Sequence, residues 1–329
     1  MTLNKLISRR QVLRTGAAFT ALSILSPART AMAGPTEDPF VLRAASGQAA
    51  LRPAPYGPTD VWSYNGSVPG PEIRVRQGDR VRVLARNGLD EDTTIHWHGI
   101  RTPNAMDGVP FLTQEPIPVG GDFLYEFDAL DAGTFWYHPH QRSSEQVGRG
   151  LYGPLIIEEA NPIRVDRDLT WMLDDWRMTR DGQIAGDFNS RHDAMHGGRI
   201  GNSVTINGQI PERIAVQAGE RIRLRLVNAA NARIFGLDFG GLAPVVVALD
   251  GQPVAPHAPD RGIVVIGPAM RVDLVIEHDR QAGRGRDRHR CFLRGAGIPS
   301  GRSRLCLRWL ADDGARLVDG PAAQSACRT

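Results

Sequence analysis

Between residues 40 and 280 apolar and polar side chains alternate in short runs. Arg74-Val75-Arg76, Arg80-Val81-Arg82-Val83-Leu84 and Phe123-Leu124-Tyr125-Glu126-Phe127 carry the period of two that a half-buried strand requires. Turn signals separate them: Asn65-Gly66, Val68-Pro69-Gly70-Pro71, Gln77-Gly78-Asp79 and Asp131-Ala132-Gly133. No long segment keeps a convincing helical period. The pattern predicts an all-β protein of sandwich type.

A repeat sets the domain count. Asn65-Gly66, Val75-Arg76-Gln77-Gly78-Asp79-Arg80-Val81-Arg82-Val83 and Asn87 recur as Asn207-Gly208, Val216-Gln217-Ala218-Gly219-Glu220-Arg221-Ile222-Arg223-Leu224 and Asn228. From Val75 to Asn87 the offset is a constant 141 residues. Two homologous sandwiches are expected, at 34–160 and 161–280, with Asn161-Pro162 as the hinge. A chain of 329 residues has room for both cores.

Residues 1–33 read as an export signal. Ser8-Arg9-Arg10-Gln11-Val12-Leu13 precedes an apolar run from Ala17 to Leu25 and a small-x-small site at Ala31-Met32-Ala33. That pattern predicts twin-arginine export, cleavage after Ala33 and a periplasmic protein. No later stretch reaches the ~18 apolar residues of a membrane span.

The basic pI is a property of the ends. Residues 1–33 hold five Lys/Arg and no acid, and residues 281–329 hold ten Arg against four Asp. These excesses of five and six, taken from a total of +3, leave −8 for residues 34–280. An acidic body argues against a nucleic-acid partner.

The chemistry lies in two short motifs. In Thr94-Ile95-His96-Trp97-His98-Gly99 an extended chain sends both imidazoles to one face and Trp97 to the other. Phe135-Trp136-Tyr137-His138-Pro139-His140 repeats the arrangement, and Pro139 places it at a sheet edge or strand end. Four imidazoles from neighbouring strands can converge on a metal. Nitrogen ligands without thiolate favour copper, with zinc open on ligand type.

His96-Trp97-His98-Gly99, Met106-Asp107-Gly108-Val109-Pro110, Thr113-Gln114, Gly133 to His140 and Gln146 to Gly153 resemble the first cupredoxin domain of multicopper oxidases. The resemblance covers about residues 40–280. It implies two tandem cupredoxin-like Greek-key sandwiches. It also implies a copper oxidoreductase that takes single electrons from phenols or metal ions at a type 1 copper and passes them to a trinuclear cluster reducing O2 to water. Carried over, His96 would bind the type 2 copper and His98, His138 and His140 the type 3 pair. Asp107 matches the family's proton-delivering acid, and a plain turn residue before Gly108 is the competing account. Continuing the 141-residue offset puts Leu237, Phe239 and Gly240 at the places of His96, His98 and Gly99, so the second domain is expected to carry no copper there. His192-x-x-x-His196 would share a helix face, but Gly197-Gly198 points to a loop.

The sequence also departs from the family. The trinuclear cluster takes eight histidines, four of them from a third domain that supplies the type 1 site through H-x-x-H-x-H and H-C-H motifs. Neither motif occurs here, and Cys291, Cys306 and Cys327 lack a matching histidine pattern. From Gly283 arginines crowd the chain, which uses one Lys against 38 Arg. Residues 281–329 are therefore expected to be a disordered or frameshifted tail replacing the end of domain two, with a partner-binding basic tail as the alternative. The expected chain is a truncated oxidase, with a separately encoded C-terminal half as a possible partner. Few methionines speak against a Met-rich cuprous-ion oxidase. The competing readings are a copper-binding protein without turnover and a copper-free structural member of the cell-division type. The presence of all four histidines opposes the last.

Overall fold

The computed structural model describes residues 31–32, 38–210, 213–216, 219–239, 242–277, 290–295 and 304–311. The export signal, apart from the short strand at 31–32, lies outside them. Domain one is built from β1 (Ala31–Met32), β2 (Phe40–Ala49), β3 (Thr59–Tyr64), β4 (Ile73–Arg76), β5 (Arg80–Gly88), β6 (His96–His98), β7 (Asp122–Asp128), β8 (Gly133–His138) and β9 (Gly153–Glu158). One sheet runs β3-β2-β5-β7 and the other β1-β4-β9-β8-β6. Trp97, Tyr125, Phe127, Phe135 and Tyr137 fill the space between them.

Domain two contains β10 (Arg167–Trp176), β11 (Ser203–Ile206), β12 (Arg213–Val216), β13 (Arg221–Asn228), β14 (Phe235–Asp238), β15 (Val245–Leu249), β16 (Gln252–His257), β17 (Ile263–Ile266), β18 (Arg271–Glu277), β19 (Arg290–Gly295) and β20 (Arg304–Ala311). Its sheets run β11-β10-β13-β18-β15-β16 and β12-β20-β19-β14-β17. The all-β expectation holds. The helices are short, α1 at Ser143–Gly148 and α2 at Arg191–Met195.

Two sequence expectations change here. The first concerns the tail. β19 and β20 stand in domain two where β8 and β9 stand in domain one: each pair is antiparallel, and β20 runs parallel to β12 as β9 does to β4. Ile73 faces Leu155, and Ile214, 141 residues after Ile73, faces Trp309. β19 and β20 thus pair into the second sandwich, while the rest of the expected disordered or frameshifted tail lies outside the described residues. The arginine content of these strands masked an alternating pattern, as in Arg304-Leu305-Cys306-Leu307-Arg308.

The second concerns the face of β14. Asn87 turns the chain after β5 by donating from Nδ2 to the carbonyls of Glu91 and Ile117. Asn228 donates likewise to the carbonyls of Arg233 and Ile266. The first acceptor lies four residues on in domain one and five in domain two, so domain two has one extra residue in this turn. A one-residue slip exchanges the two faces of a strand. Leu237 and Phe239 consequently match the buried Ile95 and Trp97, and all four side chains are core. The place of His96 belongs to Asp238, and neither Leu237 nor Phe239 takes a ligand position.

The domains meet through a shared apolar cluster that includes Trp136, Val147 and Tyr152 from the first and Met172, Trp176 and Val227 from the second. Beside it lies a buried polar network. The Thr134 hydroxyl of β8 donates to Asp273 Oδ1 at 2.6 Å and accepts from Arg225 Nη1 at 2.9 Å. Arg223 binds Asp273 at 2.7 Å and Glu159 at 2.6 Å. Arg225 reaches Asp168 at 2.7 Å. Asp273, Arg225 and Thr134 are all at most 1% exposed.

Candidate metal centre

β6 is an edge strand paired antiparallel to β8, with His96 opposite His138 and His98 opposite Trp136. Alternation sends Trp97 and Tyr137 into the core and His96, His98, Trp136 and His138 to the other face. β8 ends at His138, where Pro139 can no longer donate to a ladder. His140 is then held by its backbone N–H, which donates to Thr94 Oγ1 at 3.1 Å. α1 braces this turn: Gln146, fully buried, bonds Thr93, Glu91 and the Asp92 carbonyl.

All four imidazoles converge. One nitrogen from each of His96, His138 and His140 falls in a group whose members lie within 4.8 Å of one another. His98 joins through Nδ1, 3.1 Å from His138 Nε2. The His96 and His140 ring centroids are 4.2 Å apart, and Trp136 stacks on His138 at 4.2 Å.

Hydrogen bonds select the free nitrogens. His96 Nδ1 donates to the Asp107 carbonyl at 2.7 Å, which leaves Nε2 bare. His138 Nδ1 faces the Pro139 carbonyl at 3.1 Å, and its Nε2 is the nitrogen that meets His98. Metal–imidazole bonds of about 2.0–2.1 Å, at angles between square and tetrahedral, separate two nitrogens by about 2.9–3.4 Å. The 3.1 Å between His98 and His138 fits two donors on one ion.

Electrostatics keep His98, His138 and His140 neutral. Burial, helped by the Arg271 guanidinium and the His96 and His140 rings, lowers His98 to about 3. Burial pushes His138 well below its ordinary value, followed by the His96 and His98 rings. His140 is lowered for the same first reason. Neutral imidazole is the form that binds metal. Arg271 itself comes from β18 of domain two and lies under the glycine after His98; a Cβ on Gly99 would sit 2.1 Å from its Nη2.

Asp107 ends a short turn before Gly108 and touches the site in two ways. Its backbone oxygen orients His96, and its carboxylate lies 3.4 Å from the same ring nitrogen, about one-third exposed. Gly108 makes this approach possible: its φ is +78°, and a Cβ there would lie 1.8 Å from the Ile95 carbonyl. Sequence reasoning missed the carbonyl, Arg271 and the Trp136 stack, which carry no motif of their own.

This is a copper-type donor set on a cupredoxin-like pair of sandwiches. Two models described as multicopper oxidase match residues 47–162 and 167–284. The chain belongs to the multicopper oxidase family. Copper is the metal of that family. Copper resistance protein A of Pseudomonas syringae pv. tomato is 33% identical over 265 residues, covering 67% of this chain and 43% of that protein. The multicopper oxidase of Pseudomonas thermotolerans superposes with a TM-score of 0.74 at 37% identity, over 84% of this chain and 64% of the other. Lac15 from a marine microbial metagenome gives 0.69 at 37%, over 86% and 70%. The chain thus spans less than half the length of the copper resistance protein it matches.

A cavity of about 320 Å³ is lined by His98, His138 and His140 and by Ala229, Pro268 and Ala269 of domain two. Among the described residues no helix is long and apolar enough to cross a membrane.

Proposed function

We propose that this chain supplies the N-terminal half of a trinuclear copper site in an oxidoreductase that couples one-electron oxidation of phenols or metal ions to reduction of O2 to water. The observation that carries it is the convergence of four imidazoles, with His98 Nδ1 3.1 Å from His138 Nε2. His96 would hold the type 2 copper and His98, His138 and His140 the type 3 pair. Bound copper would supply the one-electron steps. The remaining ligands and the type 1 site are to come from outside these residues, in line with the absence of an H-C-H motif from the sequence. Export to the periplasm by the twin-arginine route rests on Ser8-Arg9-Arg10 and Ala31-Met32-Ala33.

The chain's own residues have three tasks. The Asp107 carbonyl and Pro139 carbonyl fix two ring tautomers, so the nitrogen lone pairs face inward before metal arrives. Trp136 and the apolar junction behind it exclude water from the His138 side. The Asp107 carboxylate, between solvent and the His96 ring, can carry protons to the site's edge.

A second reading, copper binding without turnover, draws on the same missing H-C-H motif. Copper per chain separates both from a copper-free protein. Wild type is expected to retain copper through gel filtration, and His138→Ala with His140→Ala to lose it. Equal copper in the two would refute the site. An intense visible thiolate-to-copper band would refute the statement that these residues lack a type 1 centre.

A further inference from the structure

The His192–His196 segment, expected as a loop, forms the one-turn helix α2. His192 and Met195 stand at i and i+3 on one helical face, and His196 follows directly as the residue capping the helix. The two imidazoles stack with centroids 4.3 Å apart and planes 22° from parallel. All three residues are exposed, Met195 to 74%, large for an apolar side chain.

The turn is rigidly mounted. Arg177 grips Asp193 through two bonds of 2.8 and 2.9 Å and holds Asp187 at 2.7 Å. Asn189 meets the Ser144 hydroxyl of α1 at 2.9 Å, so the segment rests on the helix that follows His140. His196 Nδ1 donates to the His192 carbonyl at 2.9 Å, which fixes its tautomer and leaves Nε2 free for a ligand. This hydrogen bond is the arrangement that commonly orients metal-binding histidines.

We propose that His192, Met195 and His196 form a second, peripheral metal site that captures a cuprous ion. Two imidazoles and a thioether are the soft, neutral donors that suit Cu(I). Hard oxygen-seeking cations have no carboxylate to hold in the trio, because Asp193 is committed to Arg177. Exposed side chains can close from a stacked 4.3 Å pair onto one ion by small χ rotations, while the backbone stays pinned. The binding step stands independently of the function proposed above.

The test is an anaerobic Cu(I) titration of the full chain against a chromogenic chelator, in wild type, His192→Asn/His196→Asn and Met195→Leu. A His138→Ala/His140→Ala background separates the two sites. In that background, one equivalent of Cu(I) is expected to remain, to vanish in the double Asn variant, and to bind about tenfold more weakly in Met195→Leu. The Met195 methyl resonance should shift on loading. Melting temperatures unchanged from wild type exclude misfolding as the cause. No residual equivalent, or one that survives the double Asn variant, overturns the site. A Met195→Leu variant that binds as wild type, with an unmoved methyl resonance, overturns the thioether and with it the choice of Cu(I). Failure of the His138/His140 site alone would leave the peripheral equivalent in wild type untouched.

Discussion

Thr134→Val probes how domain two supports the metal strand. Thr134 is fully buried in β8, four residues before His138. Valine keeps the volume to within one heavy-atom exchange, so no large cavity opens. It removes the hydroxyl that donates to Asp273 at 2.6 Å and accepts from Arg225 at 2.9 Å. Asp273 retains Arg223 at 2.7 Å and Arg225 at 3.3 Å, both on Oδ2, but Oδ1 loses the Thr134 donor. A hydrogen bond to a charged group contributes about 1.5–3 kcal/mol. The Arg225 bond is partly replaced by the remaining carboxylate contacts, so a net loss of about 2–3 kcal/mol follows. For a protein of this size each kcal/mol moves the melting point by roughly 2–4 °C, giving a fall of roughly 4–12 °C by calorimetry. Thr134→Ser, which keeps the hydroxyl, should lose much less. If Thr134→Val melts within a degree of wild type, or Thr134→Ser falls as far, the network does not carry the junction.

Three other outcomes are expected. Asp174 is buried at the domain junction beside Tyr152 and Asp175, and burial raises its carboxyl well above the usual range. Its unfolded form ionises first as pH rises, so this group costs stability at neutral pH and not below the ordinary carboxylate range. Asp174→Asn should therefore stabilise the protein against urea at pH 7.5 and lose that advantage toward pH 4; a gap that does not change with pH refutes the assignment. Gly108→Ala should cost roughly 1–2 kcal/mol for its left-handed backbone alone, and about 10–100-fold in copper affinity by displacing the Asp107 carbonyl; copper retention at the wild-type level would contradict that role. Asp107→Asn keeps the backbone carbonyl and removes only the carboxylate, so copper content should hold while the pH profile of O2 reduction, in an assembly with all its ligands, changes. A loss of copper instead would move the carboxylate's role from protons to binding.

Much of the site was legible because it obeys a strand's period of two. His96, His98, Trp136 and His138 share a face for the same reason that Trp97 and Tyr137 share the core. Misreadings arose where the period was broken or disguised. One extra residue after Asn228 shifts β14 to its other face, and no composition statistic reveals such an insertion. In β13, Arg223 and Arg225 look like solvent-facing positions, yet both are buried because Asp273 and Asp168 of other strands, and Glu159 just after β9, meet them. Such pairing is set by tertiary structure and leaves no local trace. In β19 and β20 the reverse occurred, with abundant arginine hiding two strands. The α2 turn was obscured by its glycine neighbours, although Asp193 already offered Arg177 a partner.

The matching registers of the two sandwiches have an evolutionary consequence. Domain two repeats the main strand pairings of domain one with Asp238 where the first places His96, so the architecture does not depend on that imidazole. Selection could then alter the redox face of one duplicate while its sister served as an inert strut, contributing Arg271 and the Asp273 network to its twin's working strands.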